Sequence, residues 1–435
     1  MTEDIQTDTV SKSEQDERTH IEADICVLGA GISGVSTALE AAKSGADVVL
    51  ADASQSIGGQ AVGSIIGTLI GLYSHGDDPY QLTHGIADDL IEDLEPEGSI
   101  QRLSAQTSEL STVLFQYDEV ELQRWMERKC QQHGVRTLLA AILTDVEFTD
   151  RRVDHLDFTT RYGSVRVEAD GFVDASGDGS LCWEAGLELR EPNEPVYGSL
   201  NFLIEGYDTD TVGDFSMDDV HDRLEEVGEE YGLVREDGHL MHFPEKDFML
   251  ANITHIETPL DPLGYGNMVF EGRRQADKTV EFLQTEFSEI FDGASVRRYG
   301  NPGIRQTRWI KSREQLTLDD LREGYRPDDA VARGSWSVEL HDTPEDVHWE
   351  HFEDGHVYYI PLSCMIPEGA DNIVTVGRCV DADTEALSAI RIMGICIAMG
   401  AAAAHSLDLA GSDPVYEIDM DDLQERLDEN LERTD

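Results

Sequence analysis

The sequence predicts an α/β fold in which a domain built on a parallel sheet is interrupted by a β-rich α+β domain. Residues 22–52 alternate between strand, Gly-rich turn, helix and strand, the pattern of a βαβ unit. Residues 190–350 mix strand and helix signals, and residues 357–410 return to an apolar strand followed by an apolar helix. One sheet domain made from two separated segments accounts for all three observations.

The predicted organisation therefore has five parts. A disordered acidic tail and an acidic C-terminal tail flank the sheet domain, whose two segments enclose the insert. The bounds are 1–20 for the first tail, 21–190 and 355–410 for the sheet domain, 191–354 for the insert, and 411–435 for the C-terminal tail, in which 421–431 forms an exposed helix.

Each element follows from its own pattern. An amphipathic helix at 35–43 precedes a strand at 46–50, and helical spacing that ends at Gly134 predicts a helix at 117–133. Apolar runs then predict strands at 135–140, 143–148, 153–158 and 165–173. Further along the chain, the patterns predict strands at 199–204, 247–253 and 372–376 and helices at 270–290 and 388–409.

The composition is strongly acidic, with 89 acidic and 32 basic residues and a net charge of −57 over 435 residues. Such a surface repels phosphate, so the sequence predicts no nucleic-acid partner and no docking on anionic lipid. Hydrophobic residues form 40% of the chain, which is enough for a core and excludes disorder of the whole chain. Only six of the basic residues are lysine. A folded, acidic, lysine-poor protein is typical of a saturated-salt cytoplasm, so the charge predicts a halophilic source rather than a function.

The cysteines and the N-terminus predict a cytoplasmic protein without a metal site. None of the six cysteines lies in a C-x-x-C pair, so no zinc, iron–sulfur or disulfide framework is predicted. The first 20 residues lack the apolar core of a signal peptide. The longest apolar stretch, 392–404, is shorter than the roughly 20 residues of a membrane span. Whether the chain forms a homo-oligomer is left open by the sequence.

A glycine fingerprint follows the first strand, namely Gly29-Ala30-Gly31-Ile32-Ser33-Gly34. In this G-x-G-x-x-G pattern, Gly29 permits a tight turn, Gly31 lets the backbone approach a pyrophosphate, and Gly34 lets helix and strand pack closely. Asp52 ends the second strand, where a carboxylate accepts hydrogen bonds from a ribose. Because the first strand, the helix after the fingerprint, the second strand and the acid that ends it occur in this order, the sequence predicts a Rossmann-type dinucleotide site.

A second glycine run, Gly58-Gly59-Gln60, favours FAD over NAD, because an extended FAD continues past the second strand and needs close backbone approach there. The fingerprint occurs once, so no second domain for a nicotinamide is predicted. Two later turns agree with FAD, since apolar strands run into Gly177-Asp178 and into Gly377-Arg378. The apolar helix that follows the second turn would aim its positive N-terminus at the flavin.

These motifs resemble those of FAD-dependent oxidoreductases of the glutathione-reductase-type superfamily with two dinucleotide-binding domains, and more closely the broad group known simply as FAD-dependent oxidoreductases. The resemblance covers about residues 23–410. It rests on the fingerprint and on Gly58-Gly59, Asp174-Ala175-Ser176-Gly177-Asp178-Gly179, Gly303-Ile304-Arg305-Gln306-Thr307-Arg308, Asp329-Ala330-Val331-Ala332-Arg333-Gly334, Tyr359-Ile360-Pro361, Val376-Gly377-Arg378-Cys379 and Glu385-Ala386-Leu387-Ser388-Ala389-Ile390-Arg391. It implies non-covalent FAD in an interrupted FAD domain and a β-rich substrate domain as the insert.

The resemblance also implies where FAD lies. The pyrophosphate would lie on the fingerprint, the adenosine ribose on Asp52 and the adenine near the backbone of Leu143. The ribityl chain and the flavin would lie near Gly59, Gln60, Gly377, Arg378 and Arg391. The chain departs from the family at Asp52 and Gln306, where Glu is frequent, and at Ala389, where Gly is frequent, so Gln306 removes a carboxylate from the substrate side.

Catalytic residues are less clearly indicated, because FAD carries the redox chemistry and the protein orients it. Oxidation of an alcohol or amine needs a base, for which His341 and Tyr358 are candidates. The same stretch holds His348, His351, His356 and Tyr359. Arg305 and Arg308 are candidates to clamp a substrate carboxylate. The alternatives are histidines solvated at the surface and arginines that bridge acidic side chains.

The sequence thus predicts a FAD-dependent oxidoreductase, a dehydrogenase or oxidase. It would move two electrons, by hydride transfer to or from flavin N5, between a small organic substrate and an external acceptor or donor. The alternatives are a flavin-binding protein with a structural or RNA-modification role and a flavin reductase that takes its electrons from NAD(P)H. An NAD enzyme is disfavoured by Gly58-Gly59 and Gly377-Arg378.

Overall fold

The computed structural model of the protein describes residues 18–106, 111–212, 215–243 and 246–433. The strands are β1 (Thr19–Leu28), β2 (Val48–Asp52), β3 (Thr68–Leu69), β4 (Ile100–Gln106), β5 (Ser111–Tyr117), β6 (Arg136–Leu139), β7 (Ile142–Thr149), β8 (Arg152–Thr160), β9 (Gly163–Asp174), β10 (Leu189–Arg190), β11 (Tyr197–Gly198), β12 (Phe202–Glu205), β13 (His239–Phe243), β14 (Phe248–Asn252), β15 (Ile256–Glu257), β16 (Ser295–Tyr299), β17 (Trp309–Ile310), β18 (Ala330–Gly334), β19 (Val338–Leu340), β20 (His348–Glu350), β21 (Tyr358–Pro361) and β22 (Ile373–Thr375). The helices are α1 (Ile32–Lys43), α2 (Gly59–Gly63), α3 (Ile86–Leu94), α4 (Glu119–Gln132), α5 (Ser180–Glu184), α6 (Met217–Tyr231), α7 (Pro262–Glu286), α8 (Ser288–Phe291), α9 (Leu318–Glu323), α10 (Thr384–Ile390), α11 (Met393–Ala410), α12 (Met420–Arg426) and α13 (Asp428–Leu431), with 3-10 turns at Leu362–Met365, Gly377–Cys379 and Val415–Glu417.

The central sheet has the order β6-β2-β1-β9-β8-β7, and β22 also pairs with β9. β2, β1, β9 and β22 run parallel, whereas β7, β8 and β9 form an antiparallel meander. The 12-residue strand β9 serves both parts, because its first half pairs with β8 and its last residues pair with β22. The carboxyl ends of the parallel strands therefore meet at one edge of the sheet, where ligands bind in open α/β sheets. The α/β fold class predicted from the sequence is confirmed.

Helix α1 is packed tightly between the sheet and α11. A Cβ at Gly34 would lie 1.9 Å from the carbonyl oxygen of Gly29, and one at Gly400 would lie 2.7 Å from the carbonyl oxygen of Ser33. Only glycine fits at either position, since real Cβ atoms do not approach backbone this closely. The structure therefore requires glycine at position 34 for the predicted reason, which is the close packing of helix on strand.

The inserted part has its own antiparallel sheet, in the order β13-β14-β12-β16, and a separate hydrophobic core. The buried residues of that core run from Leu200 to Ala294. The sequence places the end of the insert at 354, but Trp309, Ala330 and Trp336 pack into the core of the sheet domain instead. The apolar side chains after the turn at 300–308 face the first domain, which alternation along short strands does not reveal.

The two terminal segments also differ from the predicted tails. Residues 1–17 of the predicted N-terminal tail lie outside the described residues, and residues 19 and 20 already belong to β1. At the other end, Leu423, Leu427 and Leu431 are at most 2% exposed and pack into the sheet-domain core. The predicted exposed helix at 421–431 is therefore wrong, because its leucines recur every four residues and bury one helical face.

The predicted helix 388–409 is broken in two at Arg391 and Ile392, between α10 and α11. The break follows from a close approach, because a Cβ at Gly394 would lie 2.2 Å from the backbone of Gly71 and its N–H donates to the Ile70 carbonyl at 2.9 Å. Among the described helices, α11 alone is long and apolar enough to cross a membrane, but 83% of it is buried inside the protein. It is a core helix of the sheet domain.

Candidate functional site

The N-terminus of α1 is open and uncapped. Gly31 is the N-cap residue, it has no side chain to cap the helix, and no acidic residue occupies the first turn. The first N–H bonded within the helix is that of Val35, which donates to Gly31 O at 2.9 Å, so the N–H groups of Ile32, Ser33 and Gly34 precede the intrahelical ladder. A Cβ at Gly31 would meet no atom within 4 Å. Free N–H donors, a positive helix end and open space fit a pyrophosphate.

Asp52 closes the turn around the fingerprint. Its Oδ2 accepts a hydrogen bond from the N–H of Ala30 at 2.6 Å, and its Oδ1 accepts one from the N–H of Ser54 at 2.6 Å. A carboxylate oxygen has two acceptor positions, so each oxygen keeps one for a ribose hydroxyl. Both positions fit the ribose role that the resemblance implies.

The strand contact of Asp52 does not involve Leu143. The N–H of Ala141 donates to the Asp52 carbonyl at 3.0 Å, and that of Ala140 donates to the Ser54 carbonyl at 2.7 Å. Leu143 lies two residues farther on, in β7, where it pairs with Phe158 of the meander. Ala140, with φ +53°, and Ala141 are thus the residues that contact the chain at Asp52 and Ser54, and the adenine contact implied for the Leu143 backbone stays a prediction.

The second glycine pair lies directly on the fingerprint. The N–H of Gly58 donates to the Ala30 carbonyl at 2.7 Å, and a Cβ at Gly59 would lie 2.7 Å from the Cα of Gly31. Gly58 and Gly59 have φ values of +107° and +51°, which favour glycine. From the same turn, Gln60 donates from Nε2 to the Ile304 carbonyl at 2.9 Å, so it joins the cradle to the chain that leaves the insert.

The two later turns meet each other at the same edge. A Cβ at Gly177 would lie 2.3 Å from an Arg378 guanidinium nitrogen, and a Cβ at Gly377 would lie 2.9 Å from Ser33 Oγ. Asp178 Oδ1 is 3.5 Å from Arg378 Nη1. The fingerprint and both turns are therefore one continuous cradle at the carboxyl ends of β1, β2, β9 and β22.

The turn after β9 is held by a fully buried carboxylate, Asp174. Its Oδ1 accepts from the N–H and hydroxyl of Ser176, at 3.1 and 2.6 Å, and its Oδ2 accepts from the N–H groups of Leu181 and Cys182, at 2.9 and 3.2 Å. These four bonds give the turn its shape.

We expect Asp174→Asn to lower the free energy of unfolding by about 2–5 kcal/mol, because an amide NH₂ would face buried N–H donors that lose their acceptor. Chemical denaturation in molar salt measures the change. Asp178→Asn is the matched control, since that side chain is 44% exposed, and it should change stability by less than about 1 kcal/mol. Equal effects of the two substitutions would contradict the role given to Asp174.

Beside the cradle lies a group of three arginines, which we call the arginine pocket: Arg235, Arg305 and Arg391. Arg305 donates from Nη1 to the Tyr197 carbonyl at 2.7 Å and from Nη2 to Ser199 Oγ at 3.1 Å. Arg235 is 4% exposed and pairs with Asp237 at 2.6 Å. Among the described residues, Arg305 has no carboxylate partner. Burial, together with the charges of Arg391 and Arg235, lowers the pKa of Arg305 well below its usual range.

Arg391 occupies the break between α10 and α11. Its Nη2 donates to the Glu339 carbonyl at 3.0 Å, and its Nε is buried without a partner among the described residues. Burial lowers the pKa of Arg391, and the Glu339 charge opposes that shift. A second buried polar atom without a described partner, Gln306 Oε1, lies in the turn that follows Arg305. Such orphaned groups at the cradle fit a polar ligand.

Two histidines and a glutamate form a hydrogen-bonded row beside the arginine pocket. His341 Nε2 is 3.1 Å from Glu339 Oε1, and His341 Nδ1 is 2.9 Å from His255 Nε2. The sequence predicts His341 as a base, but both its ring nitrogens are occupied and it is 1% exposed, so it acts only through its neighbours.

Sequence reasoning missed Arg235, His255 and Glu339. No motif marks them, because they come from three separate elements and meet only through the packing of the insert on the sheet domain.

Tyr358 is not a catalytic candidate in the structure. It is 0% exposed, and its hydroxyl donates to the Trp336 carbonyl at 3.0 Å. Burial raises the pKa of Tyr358, so its proton is unavailable. This prediction is corrected, since alternation along β21 puts residue 358 on the core side. Arg308 is also separate from Arg305, because its guanidinium stacks 4.4 Å from the Trp183 ring.

Comparisons with known proteins give one family. The sequence model of the family described as "FAD dependent oxidoreductase" matches residues 24–427. No curated protein matches the chain. Among solved structures, the chain is similar to a geranylgeranyl bacteriochlorophyll reductase-like protein from Thermoplasma acidophilum, with 12% identity, a TM-score of 0.49, and coverage of 95% of this chain and 86% of that one. It is also similar to a flavoprotein/dehydrogenase from Cytophaga hutchinsonii, with 13% identity, a TM-score of 0.45, and coverage of 93% and 82%.

Proposed function

This chain belongs to the FAD dependent oxidoreductase family, and from that premise we propose that it moves two electrons between a small carboxylate-bearing substrate and an external acceptor or donor. Its cofactor is FAD. The backbone of Ile32–Gly34 would hold the pyrophosphate, Asp52 the ribose, and the turns at Gly59 and Gly377 the ribityl chain and flavin. Bound FAD supplies the two-electron chemistry, in which a hydride is exchanged at the flavin.

The observation that carries the substrate class is the charge of the arginine pocket. The chain has 89 acidic residues, yet among the described residues Arg305 and Arg391 contact only neutral acceptors. A guanidinium is always charged and is stabilised by an anion when it is desolvated. We infer that the substrate carboxylate supplies the direct ion pair that Arg305 lacks, while Arg391 faces the flavin.

We assign proton exchange in the arginine pocket to Glu339. Its side chain is 18% exposed, whereas His341 and His255 behind it are almost fully buried. The carboxyl of Glu339 would therefore exchange a proton with the substrate, and His341 would hold that carboxyl in place through its Nε2. His341 is thus a positioning residue rather than the base itself.

Anaerobic mixing of the FAD-loaded protein with a panel of donors tests this function. The panel pairs hydroxy acids and amino acids with the alcohols and amines that lack the carboxylate, and it includes NADH. We expect a carboxylate-bearing donor to bleach the flavin absorbance and its partner without the carboxylate to react at least 100-fold more slowly.

Two outcomes would contradict the proposal. Bleaching by NADH alone would favour a flavin reductase, and no bleaching by any donor, when dithionite still reduces the flavin, would favour a structural flavin. Equal rates for acids and their uncharged partners would remove the substrate class but keep the redox function.

A further inference from the structure

Three hydrogen-bond contacts join four groups in a row: Glu339, His341, His255 and the carbonyl of Pro344. The distances are 3.1 Å from Glu339 Oε1 to His341 Nε2, 2.9 Å from His341 Nδ1 to His255 Nε2, and 3.0 Å from His255 Nδ1 to the Pro344 oxygen. His341 and His255 are 1% and 2% exposed, so their ring nitrogens are shielded from bulk water. Each contact is attractive only when one proton lies between its two heavy atoms.

An ionised glutamate and two neutral imidazoles supply only two protons for these three contacts. The Pro344 carbonyl cannot donate, so His255 must carry a proton on Nδ1, and the neutral ring then has a bare Nε2. His341 has one proton, which serves either His255 or Glu339 but not both. Two protons would leave two lone pairs facing each other about 3 Å apart in a buried place, which is strongly unfavourable.

We propose that Glu339, His341 and His255 together hold three protons at neutral pH, one more than an ionised carboxylate and two neutral imidazoles, and so form a proton store at the edge of the arginine pocket. We call these three residues the proton row. The proposal goes beyond the proposed function, because it holds whether or not the substrate is a carboxylate.

The surrounding guanidinium groups disfavour an imidazolium in the row and also favour an ionised Glu339, so the count of three protons rests on the hydrogen-bond contacts. The guanidinium groups of Arg235, Arg305 and Arg391 face it, with Asp237 as the neighbouring acid. Burial, together with the charges of Arg235 and Arg305, lowers the pKa of His255 to about 3. Burial also lowers the pKa of His341 well below its usual range, and all three arginines add to that shift.

One arrangement satisfies every contact without any charge inside the row. Glu339, as a carboxylic acid, donates to His341 Nε2, His341 Nδ1–H donates to His255 Nε2, and His255 Nδ1–H donates to the Pro344 carbonyl. The third proton then lies in the contact between Glu339 Oε1 and His341 Nε2, at one end of the row. That end is the open one, since the other end is closed by a carbonyl that only accepts. Trp336 Nε1 fixes the second carboxyl oxygen by donating to Oε2 at 3.1 Å.

Nuclear magnetic resonance of the FAD-loaded protein with ¹⁵N-labelled histidine rings tests the proposal without any substrate. A nitrogen that carries a proton and a bare nitrogen have well-separated resonances, and His255→Gln and His341→Gln assign the two rings. At neutral pH we expect protons on His255 Nδ1 and His341 Nδ1 and a third proton between Glu339 and His341, seen either on His341 Nε2 or, with ¹³C-labelled glutamate side chains, as a protonated Glu339 carboxyl. A bare His341 Nε2 facing an ionised Glu339, or the loss of either Nδ1 proton, would overturn the proposal.

Two further variants separate the row from its surroundings. Glu339→Gln keeps a neutral donor opposite His341 Nε2, so both rings should keep their Nδ1–H forms. Movement of the His341 proton to Nε2 in that variant would show that His341 Nδ1 does not donate to His255, which would overturn the order of donors along the row. Glu257→Gln, an exposed charge in the groove beside His255, is the matched control and should leave both rings unchanged.

Discussion

Gly31→Val should abolish FAD binding while the protein still folds. The backbone of Gly31 has φ −72° and ψ −178°, a conformation open to any residue, and a Cβ there would meet no protein atom within 4 Å. A valine side chain would instead fill the space in front of the α1 N-terminus, where the pyrophosphate binds. We expect FAD affinity to fall at least 100-fold, which corresponds to about 2.7 kcal/mol.

Two other glycine variants serve as controls for Gly31→Val. Gly266→Val also places a side chain in open space, on helix α7, and should keep full flavin occupancy. Gly34→Val should unfold the domain, because its Cβ would lie 1.9 Å from the Gly29 carbonyl oxygen. Titration of each apoprotein with FAD, with circular dichroism as the folding measurement, distinguishes lost binding from lost structure. Full occupancy of Gly31→Val would refute the cradle.

Arg305→Met should lower kcat/KM for a carboxylate substrate about 10²–10³-fold, or roughly 3–4 kcal/mol, because two charge-assisted hydrogen bonds are lost from a desolvated pair. Flavin occupancy should stay unchanged, since Arg305 contacts the insert through Tyr197 and Ser199 rather than the cradle. The measurement compares each acid with its uncharged amide. The amide should lose less than about 3-fold, because it has no charge for the guanidinium to bind.

Arg308→Met is the matched control for Arg305. Its guanidinium stacks on Trp183 and has no part in the arginine pocket, so kcat/KM for the acid should change less than about 3-fold. An equal loss for acid and amide in Arg305→Met would indicate a structural effect and contradict the carboxylate assignment.

The cofactor cradle is the part that the sequence predicts best, because its geometry is local. Gly34 packs against Gly29 within the fingerprint itself, and Gly59 packs on Gly31 of the same motif, whereas the contact of Gly29 with Ala175 joins it to the later turn. The backbone contacts beside Asp52 come from Ala140 and Ala141, through a turn that no motif marks, and the adenine contact implied for Leu143 stays a prediction.

The arginine pocket and the proton row are less predictable, because they are tertiary. Arg305 and His341 are found from composition and position, but their partners Arg235, His255 and Glu339 come from elements that meet only when the insert packs on the sheet domain. Tyr358 is the converse case, because the sequence predicts it as a catalytic base whereas the structure buries its side chain in the core. The break at Arg391 is likewise tertiary, because Gly394 packs against the backbone of Gly71.

The charge of −57 is predicted to reflect the solvent that the protein meets rather than its chemistry. A halophilic source and a cytoplasmic location stay predictions. The charge nevertheless bears on the candidate site. Although the chain is rich in carboxylates, Arg305 and Arg391 make hydrogen bonds only to neutral acceptors among the described residues.

A crystal structure of the FAD-loaded protein, soaked with a small carboxylate, tests the central claim most directly. The account predicts the pyrophosphate on the N–H groups of Ile32–Gly34, the ribose on Asp52, the flavin ring against Arg391 and the carboxylate on Arg305. A flavin ring that lies away from Arg391, or a carboxylate bound outside the arginine pocket, would contradict it.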